Sequence, residues 1–228
     1  MMNVLKRIFK QRLLFNDLQR AKPVSAVFGL DRGTPIDRYY IERFLECHSF
    51  LIKGTVLEVG DGFYTRRYGG DRVQRADVLH AVPGNPQASI VGDLTDVRTL
   101  PENIYDCFIC TQTFNFIFDI QRAIEGAHRL VKPGGTLIAT VAGISQISRY
   151  DLERWGDYWR FTTASIKNMF TSVFTGELEV ESYGNVLAAV ALLQGLSVED
   201  LPNSALLDDR DPDYQVIITI VARKGGSR

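Results

Sequence analysis

Residues 54–65 read GTVLEVGDGFYT, and this stretch decides the fold. Residues 56–59 are apolar apart from Glu58, and their richness in valine predicts a short buried strand. Two glycines, Gly60 and Gly62, follow it and let the backbone turn tightly and approach a ligand closely. A strand, a Gly-x-Gly turn and a helix in this order are typical of the nucleoside- or phosphate-binding start of a doubly wound α/β domain.

The composition predicts one ordinary globular domain. The chain has 228 residues, which is long enough for one α/β domain with a full core. Its net charge of −1 gives no electrostatic reason to expect a nucleic-acid partner. No apolar run approaches the ~20 residues of a transmembrane helix. The odd number of cysteines, three, and the lack of a signal peptide lead us to expect a cytoplasmic protein with free thiols.

Residues 1–22 carry six basic side chains and one acidic side chain, Asp17. Apolar residues recur among them at helical spacing, which predicts a basic amphipathic helix. Such a helix could contact an anionic membrane surface as a peripheral anchor, or its apolar face could pack on the protein's own domain. We favour the second role, because amphipathic terminal helices are common and this one is short.

A second helix is predicted to run to about Cys47, with Thr34 or Asp37 as its cap. Four apolar residues of this helix are expected to face the core: Ile36, Tyr40, Phe44 and Leu45. The loop before it is rich in polar side chains. These could help to build an acceptor pocket, or they could form an arginine–carboxylate network that ties the helix to the core.

The rest of the chain alternates predicted strands and helices. A second strand over residues 72–76 closes at Asp77, where a carboxylate can accept hydrogen bonds from both hydroxyls of a ribose. Further strands are predicted over residues 88–91, 105–110, 136–143, 178–183 and 215–222, with a helix over residues 117–131 that stops at a Lys-Pro-Gly-Gly turn.

Three motifs carry a family resemblance. Residues 58–62, EVGDG, resemble the E-x-G-x-G signature of class I S-adenosylmethionine-dependent methyltransferases, and residues 129–135, RLVKPGG, resemble the family's helix stop before strand five. Residues 28–48 resemble the N-terminal segment of a bacterial subgroup associated with polysaccharide and natural-product genes. The resemblance implies a Rossmann-like, seven-stranded methyltransferase sheet with its last strand antiparallel. Residues 1–50 would form an N-terminal helical extension or lid, and residues 51–228 the methyltransferase domain.

The resemblance also implies which residues bind the cofactor, S-adenosylmethionine. Asp77 would bind the ribose and Asp93 the adenine amino group, and Glu58 and the glycine turn would also contact the cofactor. The full set of expected cofactor residues is Glu58, Gly60, Asp61, Gly62, Tyr64, Thr65, Asp77, Val78, Gly92, Asp93, Leu94, Thr111 and Gln112.

The loop over residues 143–161 is expected to help build the acceptor site, because it follows strand five at the ligand-binding edge of the sheet. It contains both tryptophans of the chain, with charged side chains between the aromatic ones. The expected substrate-binding residues are Arg32, Tyr39, Tyr150, Trp155 and Arg160. The candidates for a general base are Asp151, Asp157, Tyr158 and His80.

Strand four is not followed by the [DN]-P-P-[YF] motif of amino-group methyltransferases or by a carboxylate placed to bind Mg²⁺. The resemblance therefore implies metal-independent methyl transfer to a small acceptor, with a hydroxyl of a sugar or glycan favoured.

Two other functions stay open at this point. One is a NAD(P)-dependent oxidoreductase, which Thr65 disfavours because the NAD motif needs glycine or alanine there. The other is a regulatory protein that binds the cofactor without catalysis.

Overall fold

A computed structural model describes residues 21–226. The basic helix expected over residues 1–22 therefore lies almost wholly outside the described residues. Seven strands form a single sheet in the order β3-β2-β1-β4-β5-β7-β6. Their bounds are β1 Gly54–Val59, β2 Val73–His80, β3 Ile90–Val91, β4 Tyr105–Thr111, β5 Val131–Ala142, β6 Leu178–Tyr183 and β7 Ile217–Arg223.

The strand directions confirm the predicted fold. The pairs β1–β2, β1–β4, β2–β3 and β4–β5 are parallel, whereas β7 lies antiparallel between β5 and β6. This is the Rossmann-like methyltransferase sheet with an antiparallel last strand. Because β1 and β4 are parallel neighbours, with Glu58 opposite Ile109, their carboxyl ends meet at one edge of the sheet.

Helices cover both faces of the sheet, so its central strands are buried on both sides and read as continuous apolar runs. The α-helices are α1 Ile36–Cys47, α2 Ile120–Leu130, α3 Arg149–Leu152, α4 Thr163–Thr171 and α5 Val186–Gln194, and a π-helical turn spans Thr65–Gly69. One core cluster includes residues of α2 and α4, and the other includes residues of α1 and α5. Within residues 21–226, no helix combines the length and the apolar character needed to cross a membrane.

Helix α1 confirms its predicted core face but not its predicted cap. All four expected core residues are buried, and the Tyr40 hydroxyl donates to the carbonyl of Leu207 at 2.9 Å. The residue before the helix is Pro35, and no side chain among residues 21–226 forms a capping hydrogen bond to the first turn. The Thr34 hydroxyl instead donates to Glu199 at 2.9 Å.

Strand β2 is longer than expected, and this corrects the position of Asp77. The strand continues through Val78 and Leu79 to His80, because these residues pair with β1 and β3. Asp77 therefore lies inside the strand, opposite Leu57, and is 5% exposed. The expectation that Asp77 closes the strand was wrong.

Candidate active site

Glu58, near the end of β1, holds the glycine turn in place. Its buried carboxylate accepts hydrogen bonds from the backbone N–H groups of Tyr64 at 3.0 Å and Thr65 at 2.7 Å, and from the Thr65 hydroxyl at 2.7 Å. Burial raises the pKa of Glu58, and these hydrogen bonds partly offset that effect. Glu58 thus accepts hydrogen bonds from the amides just after the glycine turn and fixes the backbone at that point.

Gly60 leaves open space above the end of β1. Its φ of +106° is a conformation that side chains disfavour, and a Cβ placed on it would meet no atom of residues 21–226 within 4 Å. The Asn85 side-chain amide donates to its carbonyl at 2.7 Å and so holds this peptide in place. A ligand can therefore approach the backbone closely at this point.

A polar network fixes the neighbouring end of β4. Gln112 adopts a positive φ of +48°, and its side-chain amide donates to the Thr140 hydroxyl at 3.2 Å. The Asn115 amide donates to the Gln112 side-chain oxygen at 3.0 Å, and the Asn115 oxygen accepts from the N–H of Ala142 at 3.1 Å. Asn115 was absent from the sequence-based candidates. The only sequence signal for it was its position three residues after Gln112.

A cavity of about 740 Å³ opens between these two strand ends. The β1 turn and the end of β4 form its floor, and the loop over residues 145–160 forms one wall. The opposite wall comes from the segment over residues 26–30 and from the first turns of α1, through Asp37, Arg38 and Ile41. A cavity of this size and position suits a cofactor together with a small acceptor.

Hydrogen bonds shape the segment before α1. The Ser25 hydroxyl accepts from the N–H groups of Val27 and Gly29, each at 3.2 Å, and donates to Asp31 at 2.5 Å. A side-chain amide from the opposite loop, that of Gln146, donates to the Ala26 carbonyl at 3.4 Å. This segment is therefore a defined part of the cavity wall.

A buried ion pair organises the loop on the other side. Asp157 has no exposed side-chain surface, and its carboxylate lies 2.6 Å from the Arg160 guanidinium. The N–H of Ser148 donates to Asp157 at 2.9 Å, and Arg160 also donates to the carbonyls of Ser145 and Gln146. Burial raises the pKa of Asp157, but these donors outweigh it and lower the pKa below its usual value.

The structure brings about half of the expected site residues together. Those that line the cavity are Glu58, Gly60, Asp61, Tyr64, Thr111, Gln112, Tyr150, Asp151, Asp157 and Arg160. Those outside its described wall are Gly62, Thr65, Val78, Gly92, Asp93, Leu94, Arg32, Tyr39, Trp155, Tyr158, His80 and Asp77. The functional roles of both groups stay predictions.

Arg32 and Tyr39 take part in the polar network that was the alternative to an acceptor role. The Arg32 guanidinium donates twice to Asp200, at 2.7 Å each, and the Tyr39 hydroxyl donates to Asp208 at 2.8 Å. The hydrogen bond from Arg32 is the main reason that the pKa of Asp200 falls to about 2. These contacts tie the extension to the segment after α5.

Two protein groups contact the carboxylate of Asp77. Its carboxylate accepts from the Tyr105 hydroxyl at 3.1 Å and lies 2.8 Å from the Arg75 guanidinium. The residue at the end of β2 is His80, whose ring contacts that of Trp155 edge to face at 5.6 Å. The structure thus places His80, not Asp77, at the strand end where the ribose was expected.

The family comparison agrees with this fold and cavity. Residues 62–139 match the family model described as a methyltransferase domain. This match identifies residues 62–139 as a methyltransferase domain. No curated protein matches the sequence.

Solved structures share the methyltransferase fold. An S-adenosylmethionine-dependent methyltransferase from Mesorhizobium loti has a TM-score of 0.57 at 15% identity, with 86% of this chain and 100% of that chain covered. One from Archaeoglobus fulgidus has a TM-score of 0.55 at 10% identity, with coverages of 82% and 94%. The [4+2]-cyclase SpnF has a TM-score of 0.55 at 15% identity, with coverages of 97% and 95%. At these identities the likeness concerns the fold alone.

S-adenosylmethionine is the cofactor that the methyltransferase match implies. The open space at Gly60 fits it, because a nucleoside or amino-acid group can reach the backbone there without meeting a side chain. Glu58 and the polar groups at the end of β4 fix the two sides of that space. The residues present therefore suit the cofactor.

Proposed function

We propose that the protein transfers a methyl group from S-adenosylmethionine to a hydroxyl of a sugar or glycan, without a metal ion. S-adenosylmethionine supplies a methyl group that its sulfonium already activates. The protein then has to orient the acceptor, exclude water and remove a proton. One observation carries the proposal. The ends of β1 and β4, the polar loop over residues 145–160 and the polar start of α1 all line the same cavity.

The character of the lining supports a hydroxyl-rich acceptor. The walls away from the glycine turn present hydrogen-bonding side chains, including Asn115, Ser145 and Gln146, beside the ring of Tyr150. Hydrogen-bonding groups next to an aromatic ring suit a sugar, which offers both hydroxyls and an apolar ring face. Guanidinium groups at the same walls would also tolerate an acceptor with a phosphate or carboxylate.

A paired acceptor screen tests this proposal. The protein is incubated with S-adenosylmethionine and matched probes, such as glucose with glucosamine and UDP-glucose with UDP-N-acetylglucosamine. Mass spectrometry detects the added methyl group, and NMR locates it. Methylation on oxygen supports the proposal. Methylation of glucosamine on nitrogen alone, or turnover that requires Mg²⁺, contradicts it.

The fold does not define the reaction, since one structural neighbour is a [4+2]-cyclase. The screen therefore also measures formation of S-adenosylhomocysteine. A product that forms without S-adenosylhomocysteine would show that the bound cofactor donates no methyl group, and would contradict methyl transfer.

A further inference from the structure

The carboxylates around the cavity differ in how far the protein already satisfies them. Asp157 is held by Arg160, and Asp151 accepts the Ser148 hydroxyl at 2.6 Å. Asp61 accepts the N–H of Phe63 at 2.9 Å within the glycine turn. Asp61 is exposed, so Asp37 is the half-buried carboxylate of this cavity that has no side-chain partner among residues 21–226. Among residues 21–226 it forms no ion pair, and its carboxylate accepts one hydrogen bond, from the N–H of Arg38 at 2.7 Å.

Asp37 lines the same cavity as the glycine turn. It lies in the first turn of α1, half-buried, and Ile41 one turn later lines that cavity too. Gly60 and Tyr64 line it from the segment after β1. The start of α1 and the turn after β1 therefore open into one space.

The surroundings of Asp37 also favour proton uptake. Burial raises the pKa of its carboxyl above the usual value, and the Arg38 amide, the positive charge of Arg38 and the amide of Asp37 itself offset only part of that effect. A carboxylate that the protein stabilises poorly is a stronger base than an ion-paired one. By the same reasoning Asp157 is a weak base, because its ion pair lowers its pKa.

We propose that Asp37 faces the transferable methyl group and accepts the proton of the acceptor hydroxyl. The acceptor oxygen bonds to the methyl carbon as the carbon–sulfur bond breaks, and the bond's electron pair returns to sulfur. The hydroxyl proton passes to Asp37 and then to water. This assignment rests on the proposed hydroxyl acceptor, but the position of Asp37 can be tested without any acceptor.

The position test compares two cofactor analogues by calorimetry. Sinefungin carries a protonated amine at the place of the methyl group, whereas S-adenosylhomocysteine carries no charge there. Asp37→Asn should weaken sinefungin binding by about 10- to 100-fold, the effect of losing a charge-assisted hydrogen bond. Its affinity for S-adenosylhomocysteine should stay within about threefold of the wild type. Glu46→Gln is the matched control, because Glu46 is an exposed carboxylate on the same helix.

The proton-transfer test uses methyl transfer to the sugar acceptor. Asp37→Asn should lower kcat by about 10²-fold or more and remove the acid limb of the pH profile, because the base must be unprotonated. Asp37→Ala with added formate should recover part of the lost rate, since formate can occupy the space of the missing carboxylate. Glu46→Gln should match the wild type in both assays.

The outcomes separate this assignment from the proposed function. If Asp37→Asn binds sinefungin as the wild type does, or loses affinity for both analogues equally, the assignment is overturned. If the sinefungin loss occurs but no hydroxyl is methylated, the position of Asp37 is supported and the hydroxyl acceptor fails. If hydroxyls are methylated and the Asp37→Asn profile keeps its acid limb, the base is a different group.

Discussion

Gly60 and Gly84 adopt similar backbone conformations, with φ of +106° and +111°, and a Cβ on either would meet no atom of the described residues within 4 Å. The two glycines differ in position: Gly60 lines the cavity and Gly84 does not. Each change to alanine should cost about 1–2 kcal/mol of the free energy of unfolding, since alanine disfavours positive φ. Only Gly60→Ala should weaken S-adenosylhomocysteine binding, by about tenfold or more, because its methyl group enters the ligand space.

Urea unfolding and calorimetric titration of these two variants check that prediction. Equal losses of S-adenosylhomocysteine affinity would contradict it, because they would place the cofactor away from the β1 turn.

The ion pair between Asp157 and Arg160 predicts a pH-dependent contribution to stability. The pKa of Asp157 is lower in the folded protein than its usual value, so the contribution is complete above the pKa of the unfolded chain, about 3.9. It is lost as the pH falls through the lowered value. Asp157→Asn should therefore reduce the free energy of unfolding by about 2–3 kcal/mol at pH 7, and the difference from the wild type should shrink below about pH 4.

Unfolding in urea at several pH values measures this difference. Asp213→Asn is the control: Asp213 is exposed, no ion pair is described for it, and the change should cost less than about 0.5 kcal/mol. An Asp157→Asn effect that stays constant down to pH 3 would show that the ion pair does not account for it.

At the scale of single elements, helix propensity and close packing have opposite effects on a change of Gly126 in α2 to alanine. Alanine is favoured over glycine inside a helix by about 1 kcal/mol. A Cβ on Gly126, however, would lie 2.0 Å from the backbone oxygen of Leu94, so α2 would have to move, at a cost of about 3 kcal/mol. Gly126→Ala should therefore lower the free energy of unfolding by about 2 kcal/mol.

The exposed neighbour Glu125, changed to alanine, controls for helix propensity and should alter stability by less than about 0.5 kcal/mol. A stabilised Gly126→Ala variant in urea unfolding would contradict the close contact between α2 and the loop after β3.

Element positions were predictable where periodicity and turn residues agree. Strand β6 has its predicted bounds of 178–183, and the expected helix ends at Leu130, just before the Lys-Pro-Gly-Gly motif. The motif itself was expected to be a turn, but residues 132–135 lie inside β5. The helix expected from residue 117 begins at Ile120, because Asp119 caps it by accepting from the N–H of Arg122 at 3.2 Å. Strand β2 was cut short because Asp77 resembles a turn residue, whereas Tyr105 and Arg75 satisfy it inside the strand.

At the scale of the whole molecule, the cavity depends on contacts between distant parts of the chain. The segment before α1 is tied to the segment after α5, where the N–H of Val198 donates to the carbonyl of Thr34 at 2.8 Å. The two segments can lie this close because residue 29 is a glycine: a Cβ on Gly29 would lie 2.9 Å from the backbone oxygen of Leu196. The extension thereby becomes one wall of the cavity.

These distant contacts explain why the site was only partly predictable. The motif at Glu58 and Gly60 is local, and both residues line the cavity. Asp37 was considered as a helix cap and as one of the polar groups before the helix, but not as a base, because its surroundings depend on how α1 packs against the sheet. The opposite holds for Arg32. It was expected to bind the acceptor, but in the folded chain its guanidinium forms an ion pair with Asp200.

The most direct test of the account is calorimetric titration of the wild-type protein with S-adenosylhomocysteine, with NADH titrated in parallel. Filling the cavity above Gly60 predicts one S-adenosylhomocysteine per chain with micromolar affinity and no detectable binding of NADH. Binding of NADH without S-adenosylhomocysteine would contradict the account and would revive the oxidoreductase interpretation.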